Sequence, residues 1–129
     1  IYVDQWDWER VITEDERHLD FLKQIVRKIY AVLKETEEAV DERYRHIQPM
    51  LPDEITFVHA EELLERWPDL GPRQREDKIT EEKGAVFVVG IGGALQDGSI
   101  HDGRAPDYDD WVTPTGDGHR GLNGDILLW

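Results

Sequence analysis

Apolar residues recur at three- and four-residue steps through Leu19, Leu22, Val26, Ile29, Leu33 and Val40, the spacing of one helix face. Phe21, Ile25, Val32 and Ala39 run beside them as a second stripe, which predicts a helix buried over a wide face. Thr13 with Glu16 three residues on reads as a capping box that opens this helix. Glu14, Lys23, Arg27, Lys34 and Glu38 cover the remaining surface, and His18 falls among them. The helix should end near Tyr44, ahead of Pro49 and Pro52. Upstream, Ile1 to Gln5 alternates apolar and polar residues, and the alternation continues through Trp6-Asp7-Trp8-Glu9. A period of two predicts a strand with Gln5, Asp7 and Glu9 on one face and Trp6 and Trp8 on the other.

Further along, Ile55 to Val58 predicts a short strand, and Ala60 to Trp67 one or two helical turns stopped by Pro68. Pro72 can open a helix running to Lys83, with Gly84 as its C-terminal cap. Ala85 to Ile91 is a continuous apolar run rich in β-branched residues, the pattern of a strand covered on both faces. Asp97 to Gly121 is rich in Asp, Gly, Pro and Thr and reads as a long loop with short strands; loops of that length are often functional. Ile126 to Trp129 begins another strand, entered by an Asn123-Gly124 turn signal with Asp125 at the strand's start. No internal repeat interrupts this order, which reads as a single α+β domain at most.

Charge narrows the partners. With 29 acidic and 15 basic residues among 129, the formal charge is -14. Such a surface repels nucleic-acid phosphate and anionic lipid, so an anionic nucleotide would need arginines and a divalent cation close at hand. There is no cysteine, hence no disulfide framework and no thiolate metal site. No signal peptide is visible, and no apolar run approaches the ~20 residues of a spanning helix. The expectation is a soluble, cytoplasmic chain with no nucleic-acid or membrane partner.

Three segments are candidates for chemistry. Gly90-Ile91-Gly92-Gly93 follows a strand, but a dinucleotide fingerprint needs glycine where Leu95 stands, so a tight turn at a strand end fits better. The five histidines show no zinc-ligand spacing. Asp4 to Glu9 places polar residues where a strand rarely has them: either Gln5 and Asp7 point at a polar ligand from a concave sheet face, or the strand simply faces water. His101 to Trp111 is the densest polar cluster. Its carboxylates and Arg104 can hold Mg²⁺ and steer phosphate, or form a solvated acidic loop; Tyr108 and Trp111 argue that part of it is packed.

YVDQWDWE at 2 to 9, GAVFVVGIGG at 84 to 93, HDGRAPDYDDW at 101 to 111 and GLNGDILLW at 121 to 129 together resemble ammonia-dependent asparagine synthetase. The resemblance runs through the LPDEITFVHAEELL and TEEAV stretches as well, and RAPDYDDW followed by LNGDI is its most specific part. It implies kinship with the class II aminoacyl-tRNA synthetases, and so a mainly antiparallel sheet flanked by helices, with residues 1–129 as the central part of a longer catalytic domain. It implies a reaction in which the aspartate side-chain carboxylate attacks the α-phosphate of ATP, pyrophosphate leaves, and ammonia displaces AMP from the β-aspartyl adenylate.

By position, the resemblance implies that Gln5 and Asp7 line the aspartate and adenylate pocket, Asp7 taking the substrate ammonium. It implies Arg104 and Tyr108 beside the substrates, and Asp109 and Asp125 at the nucleotide and its Mg²⁺. No protein nucleophile is needed, because such displacements depend on alignment and on cations that take up charge. The resemblance also implies a homodimer when complete. The family's first motif, the arginine upstream of YVDQWDW and the third motif with its nucleotide-gripping arginine are not among these residues, so the chain as given is expected to be inactive, with unpaired strand edges.

Two other readings stand beside this one. An aspartyl- or asparaginyl-tRNA synthetase relative shares adenylate chemistry but needs a basic tRNA surface, which the charge disfavours. A non-catalytic acidic binding module would have no reason to retain Gln5, Asp7, Asp109 and Asp125.

Overall fold

A computed structural model of the chain describes residues 6–104 and 109–129. Its longest element is α1 (Leu19–Arg43), preceded by a single 3-10 turn at Glu14–Glu16. Next come β1 (Thr56–His59), α2 (Ala60–Arg66), α3 (Pro72–Lys83) and β2 (Ala85–Val89). The chain then runs through a long irregular stretch to the small strands β3 (Pro114–Gly116) and β4 (His119–Arg120), and ends on β5 (Gly124–Leu128). The central sheet has the order β1-β2-β5: β1 and β2 are parallel, while β2 and β5 are antiparallel. β3 and β4 form a separate antiparallel hairpin. The fold is α+β, with two of these three strand pairings antiparallel among the described residues.

Period-two alternation in β2 sends its side chains to two cores. Val86 and Val88 join Ala60, Leu63, Leu64 and Ile79 under α2 and α3, while Ala85, Phe87 and Val89 join Val26 and Tyr30 of α1. All five residues of β2 are buried, as the unbroken apolar run requires. On β5, Ile126 packs on the α1 side and Leu127 on the α2–α3 side. Asp125, two residues before Leu127, therefore shares the α2–α3 face.

α3 starts with Pro72 in its first turn and stops at Gly84, whose φ of 76° is open to glycine without strain. α2 stops at Trp67, before Pro68. Three expectations are corrected. Trp6 to Glu9 is irregular and exposed, not strand, because alternation alone does not hold a strand without a paired neighbour. The capping box at Thr13 and Glu16 closes the 3-10 turn, while α1 itself is capped by His18, whose Nδ1 accepts from the Phe21 amide at 3.2 Å. Of the two stripes on α1, only Val26 is fully buried, joined by Tyr30, which neither stripe contains; Val32 is 57% exposed and Ala39 is exposed too, so the buried face is narrow.

Candidate functional site

Asp125 leaves β5 opposite Val88 and meets the loop that follows Ile100. Arg104 from that loop donates Nη2 to Asp125 Oδ1 at 2.8 Å, and its Nε lies 3.5 Å from Asp109 Oδ2. One guanidinium thus sits between two carboxylates that are 16 residues apart in sequence. Room for it comes from Gly92, with φ of 93°: a Cβ there would stand 2.8 Å from Arg104 Cβ and 2.9 Å from Trp111 Nε1. The glycine pair after β2 is therefore a seat for Arg104 and Trp111.

Asp125 also opens onto a cleft of about 580 Å³ between β5, the first turn of α3 and residues His101 and Asp102. Burial pushes the Asp125 carboxyl above the usual aspartate range, Arg104 opposes this, and the carboxylates of Asp102 and Glu76 raise it further. His101 is enclosed, with Nε2 at 2.9 Å from Glu76 Oε1. The site is a negative wall holding one arginine, with the positive end of the α3 dipole and Arg73 across the cleft. Such a surface can bind a cation or a group carrying both charges, and it can align a phosphate on Arg104.

The other aspartate of the loop, Asp110, anchors it. Its carboxylate accepts from the amides of Val112 and Thr113, from the Thr113 hydroxyl at 2.6 Å and from Arg17, whose Nη2 lies at 2.9 Å. Burial opposes ionisation of Asp110, but the hydrogen bonds from Thr113, Val112 and Arg17 outweigh it and hold the carboxyl below its ordinary value. The 3-10 turn ahead of α1 is thereby tied to the loop beside the Arg104 cluster.

A second tie joins β1 to the hairpin. His59 Nδ1 accepts from the Glu61 amide at 3.1 Å, capping α2, while Nε2 donates to the Arg120 carbonyl at 2.9 Å and the ring stacks on His119. Both nitrogens are used in a way only the neutral ring allows. Burial pushes the His59 pKa below its ordinary value; the Arg120 carbonyl opposes this and His119 adds to it. A histidine pKa lowered by folding means that the stabilisation is complete above the unfolded value of about 6.5 and is lost as pH falls through it. The melting temperature is expected to drop between pH 7 and pH 5, and to drop less in His59→Asn, which keeps a capping acceptor. Equal slopes in thermal melts of the two proteins would exclude His59 as the titrating group.

Of the residues singled out in the sequence, Arg104, Asp109 and Asp125 are brought together. Asp7 is exposed on the irregular N-terminal segment, without a hydrogen bond or ion pair to the cluster among the described residues. Gln5 and Tyr108 lie outside the described residues. Among the described residues no group of three or more His, Asp or Glu converges as a ready metal cage. The Asn123-Gly124 signal does not make a hairpin turn. Instead Asn123 donates Nδ2 to the Ile91 carbonyl at 2.8 Å and accepts the Gly90 amide, fastening the start of β5 to the end of β2. Sequence reasoning missed Arg17, Glu76, His59 and the anchoring role of Asp110. Arg17, Glu76 and His59 meet partners distant in sequence, at Asp110, His101 and Arg120, whereas Asp110 accepts from Val112 and Thr113 within three residues, a local turn signal that could have been read.

Residues 1–129 match the family described as aspartate-ammonia ligase over their whole length. The chain is 57% identical, over all 129 of its residues, to a protein of Parabacteroides distasonis named aspartate–ammonia ligase. It spans 37% of the length of that relative. No helix among the described residues is long and apolar enough to cross a membrane.

Proposed function

Because this chain belongs to the aspartate–ammonia ligase family, we propose that the complete protein makes L-asparagine from L-aspartate and ammonia, driven by ATP. The observation that carries the site is the meeting of Arg104 with Asp109 and Asp125 beside an open acidic cleft. The reaction runs through a β-aspartyl adenylate with release of pyrophosphate and AMP, on a class II synthetase-like framework of which residues 1–129 form the central part. The protein acts as a cytoplasmic homodimer when complete, and residues 1–129 alone are inactive.

The residues divide the work by charge. Arg104 offers a fork of donors that matches a phosphate or carboxylate oxygen pair. Asp7 takes the α-ammonium of aspartate, with Gln5 and Tyr108 beside it. Asp109 and Asp125 supply oxygen donors on the nucleotide side. These donors suit Mg²⁺, which keeps several waters and is usually held by one or two carboxylates plus substrate phosphates, so a closed protein cage is not required. The charge on Asp125, already crowded by Asp102 and Glu76, is of the sign a divalent cation relieves. When bound, Mg²⁺ supplies charge neutralisation at the phosphates. The chain's own part is alignment: the cluster fixes the phosphate against the carboxylate that attacks it.

The test is release of AMP and asparagine by the complete protein given ATP, Mg²⁺ and aspartate, with and without ammonia. Ammonia-dependent asparagine with matching AMP supports the ligase. Aspartate-dependent adenylate formation without asparagine supports a tRNA-synthetase relative, and no turnover supports a binding module. Within the ligase, Asp7→Asn is expected to raise the KM for aspartate about tenfold or more, since a hydrogen bond to a charged group contributes about 1.5–3 kcal/mol. The KM for ATP should move much less. An unchanged aspartate KM would remove Asp7 from the ammonium.

A further inference from the structure

Arg104 is a long side chain with about 2 kcal/mol of rotamer entropy, so holding it between two carboxylates needs support from its backbone. The residue before it, Gly103, has nothing within 4 Å of the place a side chain would occupy, and Asp102 is exposed. On the near side, the bridge of Ile100 to Ala94 ends the paired backbone, and the side chain that fixes the segment beyond it is His101. That ring has a side-chain exposure of 0%, and its Nε2 donates to Glu76 Oε1 at 2.9 Å. Glu76 stands on α3, a rigid element packed on the same sheet face that carries Asp125. Arg104 itself is seated beside Gly92, where an added Cβ would stand 2.8 Å from its own Cβ.

We propose that Glu76, acting through His101, is a positioning residue for Arg104. The pair clamps the loop to α3 three residues before Arg104, and so keeps the guanidinium in reach of Asp109 and Asp125. Without the clamp, Gly103 lets the backbone turn freely, and Arg104 spends part of its time in solvent. The assignment rests on the reading of Arg104 as a substrate-facing group, and it makes Glu76 matter to the reaction without touching substrate.

The experiment is a double-mutant cycle in the complete protein, read by aspartate-dependent exchange of pyrophosphate into ATP. Glu76→Ala is expected to lower kcat/KM about tenfold. Glu76→Gln keeps an oxygen acceptor for His101 and should restore it to within about threefold. In an Arg104→Ala background, Glu76→Ala should cost almost nothing further. An additive cycle, or failure of Glu76→Gln to rescue, overturns the proposal. Glu76 is used in preference to His101 because it is partly exposed on a helix and leaves no cavity when truncated. Hydrogen exchange is read on the same proteins. Amides 101–104 should lose protection in Glu76→Ala while those of β5 keep theirs, and unchanged protection or uniform loss overturns it. A wild-type protein with no exchange activity would overturn the ligase reading instead, and the amide protection would then decide the clamp on its own.

Discussion

Asp125→Asn in the complete protein is expected to lower adenylate formation by about 10²–10³-fold, the range seen when one preorganised charge partner at a developing transition-state charge is lost. The same substitution should leave the melting temperature unchanged or raise it. Burial, with Asp102 and Glu76 nearby, raises the Asp125 pKa in the folded chain above its unfolded value. A carboxyl raised by folding is ionised at neutral pH at the expense of stability, and the penalty is relieved only as pH falls through the folded value. Asparagine removes that penalty and can still accept from Arg104. Pyrophosphate exchange and thermal melts on the two proteins check both halves. Wild-type exchange rates would take Asp125 out of the site, and a large loss of stability would mean that Arg104 depends on its charge for folding.

The opposite signs of these two effects separate Asp125 from Asp110, although both are aspartates in contact with an arginine. Folding holds the Asp110 carboxyl below its ordinary value, despite burial, through hydrogen bonds from Thr113, Val112 and Arg17, so its ionised form stabilises the fold. Folding disfavours ionised Asp125. A group kept charged against the stability of the fold is a better candidate for chemistry than one whose charge the fold uses.

The sequence carried the elements whose signals are local. The apolar run of β2, Pro72 at the start of α3, Gly84 at its end and the prolines after α1 act through sterics and covalent geometry within a few residues. Trp6 to Glu9 failed because a strand is a statement about two chains of backbone and the alternation shows only one. α1 begins at His18 and not at Thr13 because the ring Nδ1 competes as a cap, which propensity does not weigh. The pairing of Arg104 with Asp125 spans 21 residues and that of Arg17 with Asp110 spans 93, so neither has a periodicity to read. Resemblance named Arg104, Asp109 and Asp125 as residues of one site; the geometry adds that they meet through a single guanidinium.

Gly90→Ala is expected to be strongly destabilising. Gly90 has φ of 72°, and a Cβ there would run into His59 Nε2 and lie 2.7 Å from the Arg120 carbonyl oxygen. The left-handed backbone costs a side chain about 1–2 kcal/mol, and forcing a close-packed neighbour aside costs about 1–3 kcal/mol more. The neighbour displaced here is the His59–Arg120 hydrogen bond, so the hairpin is loosened from β1. Gly98→Ala is the control: its φ is 81°, with nothing within 4 Å, so it carries the backbone strain alone. Thermal or denaturant unfolding of the complete protein should show Gly90→Ala falling well below Gly98→Ala. The Gly90 amide also donates to Asn123, two residues before Asp125, so the damage should spread to pyrophosphate exchange. Equal stability of the two variants would mean that His59 and Arg120 move apart without cost, and that the closeness of these segments does not hold β5 and its aspartate in place.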